Sequence, residues 1–247
     1  MKPARLFEWL PLSLWNPRSL SLFVAVLILC SCQAAPQAPL APQHKVASLS
    51  EKKIGAEPGR YVIRSDLSEA RILVFRAGPL AAVGHNHVIQ ATGMAGEIYL
   101  EREFHRSRFS LILPVAEMLV DATEARSEEG KEFAGVPDAE AIAGTTRNMQ
   151  GEKVLHAALY PYIAIHSVDL SGAVWSPDIR LRVRFKDSER DFTLPVAIDY
   201  RANEITVTTQ FEIKQTDLGI TPLSILGGAI QVANTLRVRL RIVAQRG

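Results

Sequence analysis

The chain has 247 residues, 28 Lys and Arg against 26 Asp and Glu, and 47% hydrophobic residues. A formal charge of +2 lacks the basic excess that nucleic acid or a strongly anionic partner would demand. Both cysteines precede residue 33, so the remainder can form neither a disulfide nor a thiolate metal site.

Met1 to Arg18 carries Lys2, Arg5 and Arg18, and Leu20 to Leu29 is almost continuously apolar. About ten apolar residues are too few to span a bilayer and suit the core of a secretory signal. The run ends Leu29-Cys30-Ser31-Cys32-Gln33, which resembles a bacterial lipoprotein signal. Ser31 is the small residue before the cysteine to be lipidated, and Leu29 sits three back from Cys32. Cys30 fits poorly, because bulky Leu29 precedes it. Gln33, rather than Asp, directs such a protein to the outer membrane of a Gram-negative cell. The expectation is a signal peptide over 1–31 and a periplasmic chain anchored through lipidated Cys32. The alternative is a plain cleaved signal near Ala34-Ala35 and a soluble periplasmic or secreted product. Residues 1–31 hold three basic residues and one acidic residue, so the chain from Cys32 onward balances 25 against 25. Residues 32–59 are rich in Ala, Pro, Gln and Ser, a composition that builds an extended tether and no core.

From residue 60 to 246 the sequence is long enough for one domain with a substantial core. Strand signals recur: Tyr61-Val-Ile-Arg64, Ala70 to Phe75, Gly96 to Leu100, Arg108 to Val115 and Tyr162 to Val168. In Ile179 to Phe185 the odd positions are apolar, while Arg180, Arg182 and Arg184 alternate with them. Phe192, Leu194, Val196, Ile198 and Tyr200 continue the alternation, and Pro195 predicts an edge or a bulge. Ile205 to Ile213 and Leu236 to Ile242 alternate most cleanly. About eight to ten strands with one apolar and one charged face predict an all-β, antiparallel sheet closed on itself. The Arg rows then form a solvated outer face.

Two segments depart from the pattern. Ser127 to His156 predicts short helices, one capped by Asp138 and ended by Gly144, a second over Thr145–Met149, with Met149 and Leu155 facing inward. Gln215 to Val232 carries Leu218, Ile220, Leu223, Ile225, Leu226 and Ile230 among Gly219, Pro222, Gly227 and Gly228. A loop so apolar must bury its side chains, which predicts a cap folded over one end of the barrel, where ligands enter.

The sharpest polar feature is Val83-Gly84-His85-Asn86-His87-Val88-Ile89. As a strand it would place both imidazoles side by side, available to a metal, to a ligand head group, or to structural hydrogen bonds. Asp121, Arg147 and Asp217 are polar residues expected at strand ends or in the cap, and Arg147, if buried, could pair with a carboxylate or a ligand head. No Gly-x-Ser-x-Gly, His-Glu-x-x-His or phosphate loop is present, so nothing nominates a catalytic residue.

These features occur together in one order. Tyr61-x-Ile63, Gly84-His85-Asn86-His87, and Thr146-Arg147-Asn148-Met149 with Leu155 and Tyr160-Pro161-x-Ile163 come first. Phe192-x-Leu194-Pro195-Val196 comes next, then Gln215-x-Asp217-Leu218-Gly219-Ile220-x-Pro222 with Gly227-Gly228-Ala229-Ile230-x-Val232. The set, from about Arg60 to Ala244, resembles the YceI-like lipid/polyisoprenoid-binding family. Leu218 stands where many members have Phe, and Gly-His-Asn-His belongs only to some members. The resemblance implies an extended lipocalin-like antiparallel β-barrel with short helices around 127–156 and a C-terminal capping loop. It further implies an apolar cavity that binds an isoprenoid, quinone-like or fatty-acyl amphiphile, with no cofactor besides that lipid and no catalysis. Residues expected to line the cavity are His85, His87, Phe75, Leu111, Leu113, Met149, Ile163, Ile165, Phe211, Ile220, Leu223 and Ile225. A metal site at His85 and His87 and a solidly packed interaction barrel are the competing readings. The expected partners are the amphiphile and a membrane, not nucleic acid; a homodimer is left open.

Overall fold

Alternating apolar and charged residues bury one face of each strand and wet the other, and here every strand pair is antiparallel. The computed structural model describes residues 54–247. The signal segment, Cys32 and the tether as far as Lys53 lie outside the described residues. In chain order the strands are β1 (Gly59–Ile63), β2 (Glu69–Val74), β3 (Arg76–Ala77), β4 (His87–Ala91), β5 (Ala95–Leu100), β6 (Arg108–Pro114) and β7 (Met118–Val120). After helices α1 (Thr123–Ser127) and α2 (Ala139–Gln150) come β8 (Tyr162–Ala173), β9 (Ser176–Phe185), β10 (Ser188–Pro195), β11 (Ala197–Arg201) and β12 (Glu204–Lys214). The last are β13 (Ser224–Ile225), β14 (Ile230–Val232) and β15 (Thr235–Arg246).

Several of these are halves of longer staves. β1 continues into β2, β4 into β5, β6 into β7, and β10 into β11, so twelve strands make eight staves with β8, β9, β12 and β15. Each stave pairs with the next in sequence, and β15 returns to pair with both β1 and β2. The sheet is therefore an up-and-down barrel closed on itself through β11 and β12, with β10 paired to β9 alone. Pro195 marks the corner where one stave swaps partners, from β9 to β12. There the Val196 amide donates to the Pro177 carbonyl, and Thr209 Oγ1 donates to the Pro195 carbonyl at 2.7 Å. The bend occurs where proline could not have donated to a ladder.

Three interruptions lie side by side: Arg64–Ser68, Thr92–Met94 and Val115–Glu117. Side chains repair the ladder where the backbone leaves it. Ser68 Oγ accepts from the Val243 amide at 2.9 Å, and Thr92 Oγ1 donates to the Glu117 carbonyl at 2.9 Å. A buried backbone group left unpaired would cost about 1–3 kcal/mol, so these hydroxyls make the breaks tolerable.

The outer Arg rows are paired across strands, as with Arg182 to Asp191 at 2.6 Å and Arg184 to Glu189 at 2.5 Å. One part of the exterior is instead covered. Leu73 and Val88 point outward from β2 and β4, and Ala125, Phe133 and Phe75 bury them. Inside, a packed group of Phe104, Leu170, Ile179 and Val196 fills one end. Ala56 is 4% exposed and Ile54 packs with it, so the chain joins the core before its first strand.

The helical segment differs from expectation. Asp138 does cap a helix, accepting from the Ala141 amide at 2.8 Å, but Gly144 does not end it. One helix runs to Gln150. An interior glycine costs about 1 kcal/mol, and the packing of Ile142 and Met149 on the core offsets it. This helix sits against β7, occupying wall where no further strand pairs. At the same end, β13, β14 and β3 form a small separate sheet within the cap.

Candidate functional site

The inward residues leave space along the barrel. Beneath the cap is a cavity of about 250 Å³, walled by Ile72 and Val74 of β2, Ile89 of β4, Met118 of β7, Met149 of α2 and cap residues Leu218, Ile220, Leu223 and Val232. A second, of about 130 Å³, lies between β1, β5, β6, β8, β9, β10, β12 and β15 and is lined by Phe109, Ile179, Phe192 and others. Val183 and Ile213 border both, so the two spaces adjoin along the barrel. Space of this kind is dry unless polar groups line it. Thr209 is the one polar side chain of the lower lining, whereas the upper cavity has four: His87, Thr145, Asn148 and Gln215.

Of the residues expected to line a cavity, the upper space brings together His87, Met149, Ile163, Ile220 and Leu223, and the lower space Leu111, Ile165 and Phe211. Four are elsewhere. Phe75 comes after the inward Val74, so it turns outward and meets Phe133 edge-on at 5.6 Å. Leu113 has inward parity, but it packs into the core and borders neither cavity. Ile225 is 48% exposed on the outer side of the cap. His85 is exposed, because residues 81–83 form a 3-10 turn and the strand begins only at His87. Its ring lies 6.3 Å from that of His87, edge to face, instead of beside it on a shared strand face. Arg147 and Asp217 are likewise exposed.

His87 points inward as the first residue of β4, while its neighbour Val88 points outward. Its Nδ1 lies 2.7 Å from Asp121 Oδ2. Asp121, at the end of β7, adopts φ 52°, a left-handed conformation that Asp tolerates better than most residues. Its other oxygen, Oδ1, accepts from the Val88 amide at 2.9 Å and from Arg126 Nη1 at 2.6 Å. Arg126, from α1, also donates to the carbonyls of Asn86 and Gly135. Asn86 completes the frame, accepting from the Arg76 amide and donating to the Glu132 carbonyl.

Burial alone would raise the Asp121 carboxyl. The hydrogen bonds from His87 and the Val88 amide, with the charge of Arg126, outweigh it and hold Asp121 below its ordinary value. The carboxylate is thus ionised and saturated with donors. The sequence singles out His87 and Asp121 separately; Arg126, the buried cation that binds them, carries no signal, because its partners lie up to 40 residues away. Asn148 and Gln215 belong to recognisable motifs and Thr145 precedes one, yet nothing in those motifs says that they reach the cavity. Among the described residues, no group of three or more His, Cys, Asp or Glu side chains is placed to hold a metal.

In sequence the chain matches no protein-family model and no curated protein. In structure it resembles BcnA of Burkholderia cenocepacia, with TM-score 0.53 at 11% identity, over 74% of this chain and 99% of the other. It also resembles a polyisoprenoid binding domain from Saccharophagus degradans implicated in plant cell wall breakdown, with TM-score 0.52 at 9% identity, over 77% and 100% of the two chains. At such identities the likeness is one of fold: the extended lipocalin-like antiparallel β-barrel.

Proposed function

We propose that this chain is a YceI-like binding protein that holds an isoprenoid, quinone-like or fatty-acyl amphiphile inside its barrel. The observation that carries this reading is the pair of adjoining cavities, almost wholly apolar, with polar side chains concentrated under the cap. The name of the Saccharophagus degradans domain, a polyisoprenoid binding domain on the same fold, supports the class of ligand. Size supports it too. A cavity of about 150 Å³ accommodates benzene, so by the same scale the upper space takes roughly ten carbons and the lower one several more. At about 0.8 kcal/mol per methylene, ten buried carbons gain about 8 kcal/mol. Association costs at least about 4 kcal/mol of that. The balance suits a carrier that loads and releases its lipid.

The protein acts by binding and excluding water. His87 serves as a head-group contact. The metal alternative assumed two imidazoles on one strand face, whereas His85 is exposed and precedes the strand that begins at His87. The lipoprotein-type pattern at Ser31-Cys32-Gln33 supports a tether to the periplasmic face of the outer membrane. Native mass spectrometry of the purified protein tests the binding. A bound mass of several hundred daltons, released on denaturation and soluble in organic solvent, is expected. A bare protein that takes up no added farnesol sinks the reading. For the anchor, the N-terminal peptide should carry acyl chains on Cys32, and Cys32→Ser should abolish them.

A further inference from the structure

The Asp121–His87 pair fixes more than the position of an imidazole. We infer that His87 presents an unprotonated Nε2 to the upper cavity, so that the site selects amphiphiles whose head group donates a hydrogen bond, an alcohol or phenol, over heads that only accept.

This selectivity rests on the lipid-binding reading of the cavity and on a count of donors and acceptors around Asp121. Asp121 Oδ1 is occupied by two N–H donors, the Val88 amide and Arg126 Nη1. Oδ2 faces His87 Nδ1 at 2.7 Å. An ionised carboxylate can only accept, so the proton in that contact belongs to Nδ1. Arg126 already balances the carboxylate charge at 2.6 Å, which removes the electrostatic reason for a second cation at His87. The ring is then the neutral Nδ1–H tautomer, and its remaining nitrogen carries a lone pair. No described residue donates to Nε2, and His87 lines the upper cavity. In a mostly apolar cavity, an acceptor of this kind discriminates between head groups. A ligand hydroxyl satisfies it, while an ether or carbonyl oxygen would set lone pair against lone pair. A quinol would be retained over the corresponding quinone, and an un-ionised acid over its carboxylate.

Asp121→Asn gives a specific reversal. Oδ1 must continue to accept from Arg126 and Val88, so the new amide is oriented with its NH₂ toward His87. That NH₂ donates to Nδ1, the proton moves to Nε2, and the cavity acquires a donor instead of an acceptor.

The test titrates the purified protein with farnesol and with farnesyl methyl ether, which share a chain and differ in the head O–H. Wild type should bind the alcohol about tenfold more tightly than the ether. In Asp121→Asn the two should become equal through gained ether binding, because a hydroxyl can accept as well as donate. In His87→Phe they should become equal through lost alcohol binding, which keeps the test open if the Asn variant does not fold. Nitrogen-15 NMR of the His87 ring gives an independent readout, an unprotonated Nε2 in wild type. Equal binding of both probes to wild type, or a protonated Nε2, overturns this inference and leaves the lipid reading standing. Binding of neither probe overturns the lipid reading itself.

Discussion

Arg126 and Asp121 meet at 2.6 Å with side chains 4% and 0% exposed, the most deeply buried ion pair among the described residues. The pair joins α1 to β7 and, through the Asn86 carbonyl, to the entry of β4. A buried charge whose partner is removed is left uncompensated, at a cost of about 3–5 kcal/mol. Arg126→Met should therefore lower the unfolding free energy by roughly that amount in urea denaturation. A loss under about 1 kcal/mol, the size typical of solvated surface pairs, would mean that water reaches the pair.

The same carboxyl sets an acid sensitivity. Asp121 is held below its unfolded value of about 3.9. The unfolded state binds the proton more readily, so the contribution is complete above about pH 4 and is lost as pH falls through the lower, folded value. Exposed carboxyls such as Asp191 are also lowered by arginine neighbours, but salt screens them. In high salt, the fall in stability below about pH 4 should be clearly shallower in Asp121→Asn than in wild type. Parallel curves would assign the acid limb to other groups.

Gly96 marks a close approach of two staves. A Cβ there would lie 2.1 Å from the Ser110 carbonyl oxygen and 2.9 Å from Leu111 Cα, across the β5–β6 ladder. Gly96→Ala must push the strands apart and should cost more than about 3 kcal/mol. Gly130, with nothing within 4 Å of its Cβ position, is the matched control, and Gly130→Ala should change the thermal midpoint by little. Equal effects at both sites would contradict the described β5–β6 register.

Filling the upper space should block the ligand without unfolding the barrel. Leu223 lines the cavity from the cap, where the backbone has room to adjust. Leu223→Trp should reduce farnesol binding at least tenfold while costing about 1–3 kcal/mol of stability. His85→Ala, at an exposed position, should leave both quantities unchanged. A loss of binding in the His85 variant comparable with that of His87→Phe would return the histidine pair to the site.

Much of the barrel is legible as alternation. The clean period of Ile205 to Ile213 and Leu236 to Ile242 becomes β12 and β15, eleven residue pairs in unbroken register. The outward Arg rows obey the same rule. What alternation does not encode is where a stave breaks. The strand pattern extended back through His85 fails because the turn at 81–83 delays β4 to His87. Phe75 fails by one step of parity, since Leu73 and Phe75 belong to an outer apolar patch that a single-layer barrel would not have. The cap is readable because apolar residues crowd a glycine-rich loop; its pairing with β3 is not, because two-residue strands leave no period.

Helix α2 closes the upper wall by side-chain contact, with Ile142 and Met149 packed against the core and the Gln150 side-chain amide 3.5 Å from the Ala116 carbonyl. Apart from the seam between β10 and β12, which share no ladder pairing, the rest of that circumference is stitched by ladder hydrogen bonds or belongs to the cap. Swinging α2 outward exposes apolar area but breaks no strand pairing. The residence time of a guest would then track a local opening equilibrium that is separate from global unfolding. Amide exchange along α2 should run faster than along β12, and substitutions at Ile142 should tune how quickly the barrel empties while its melting temperature barely moves.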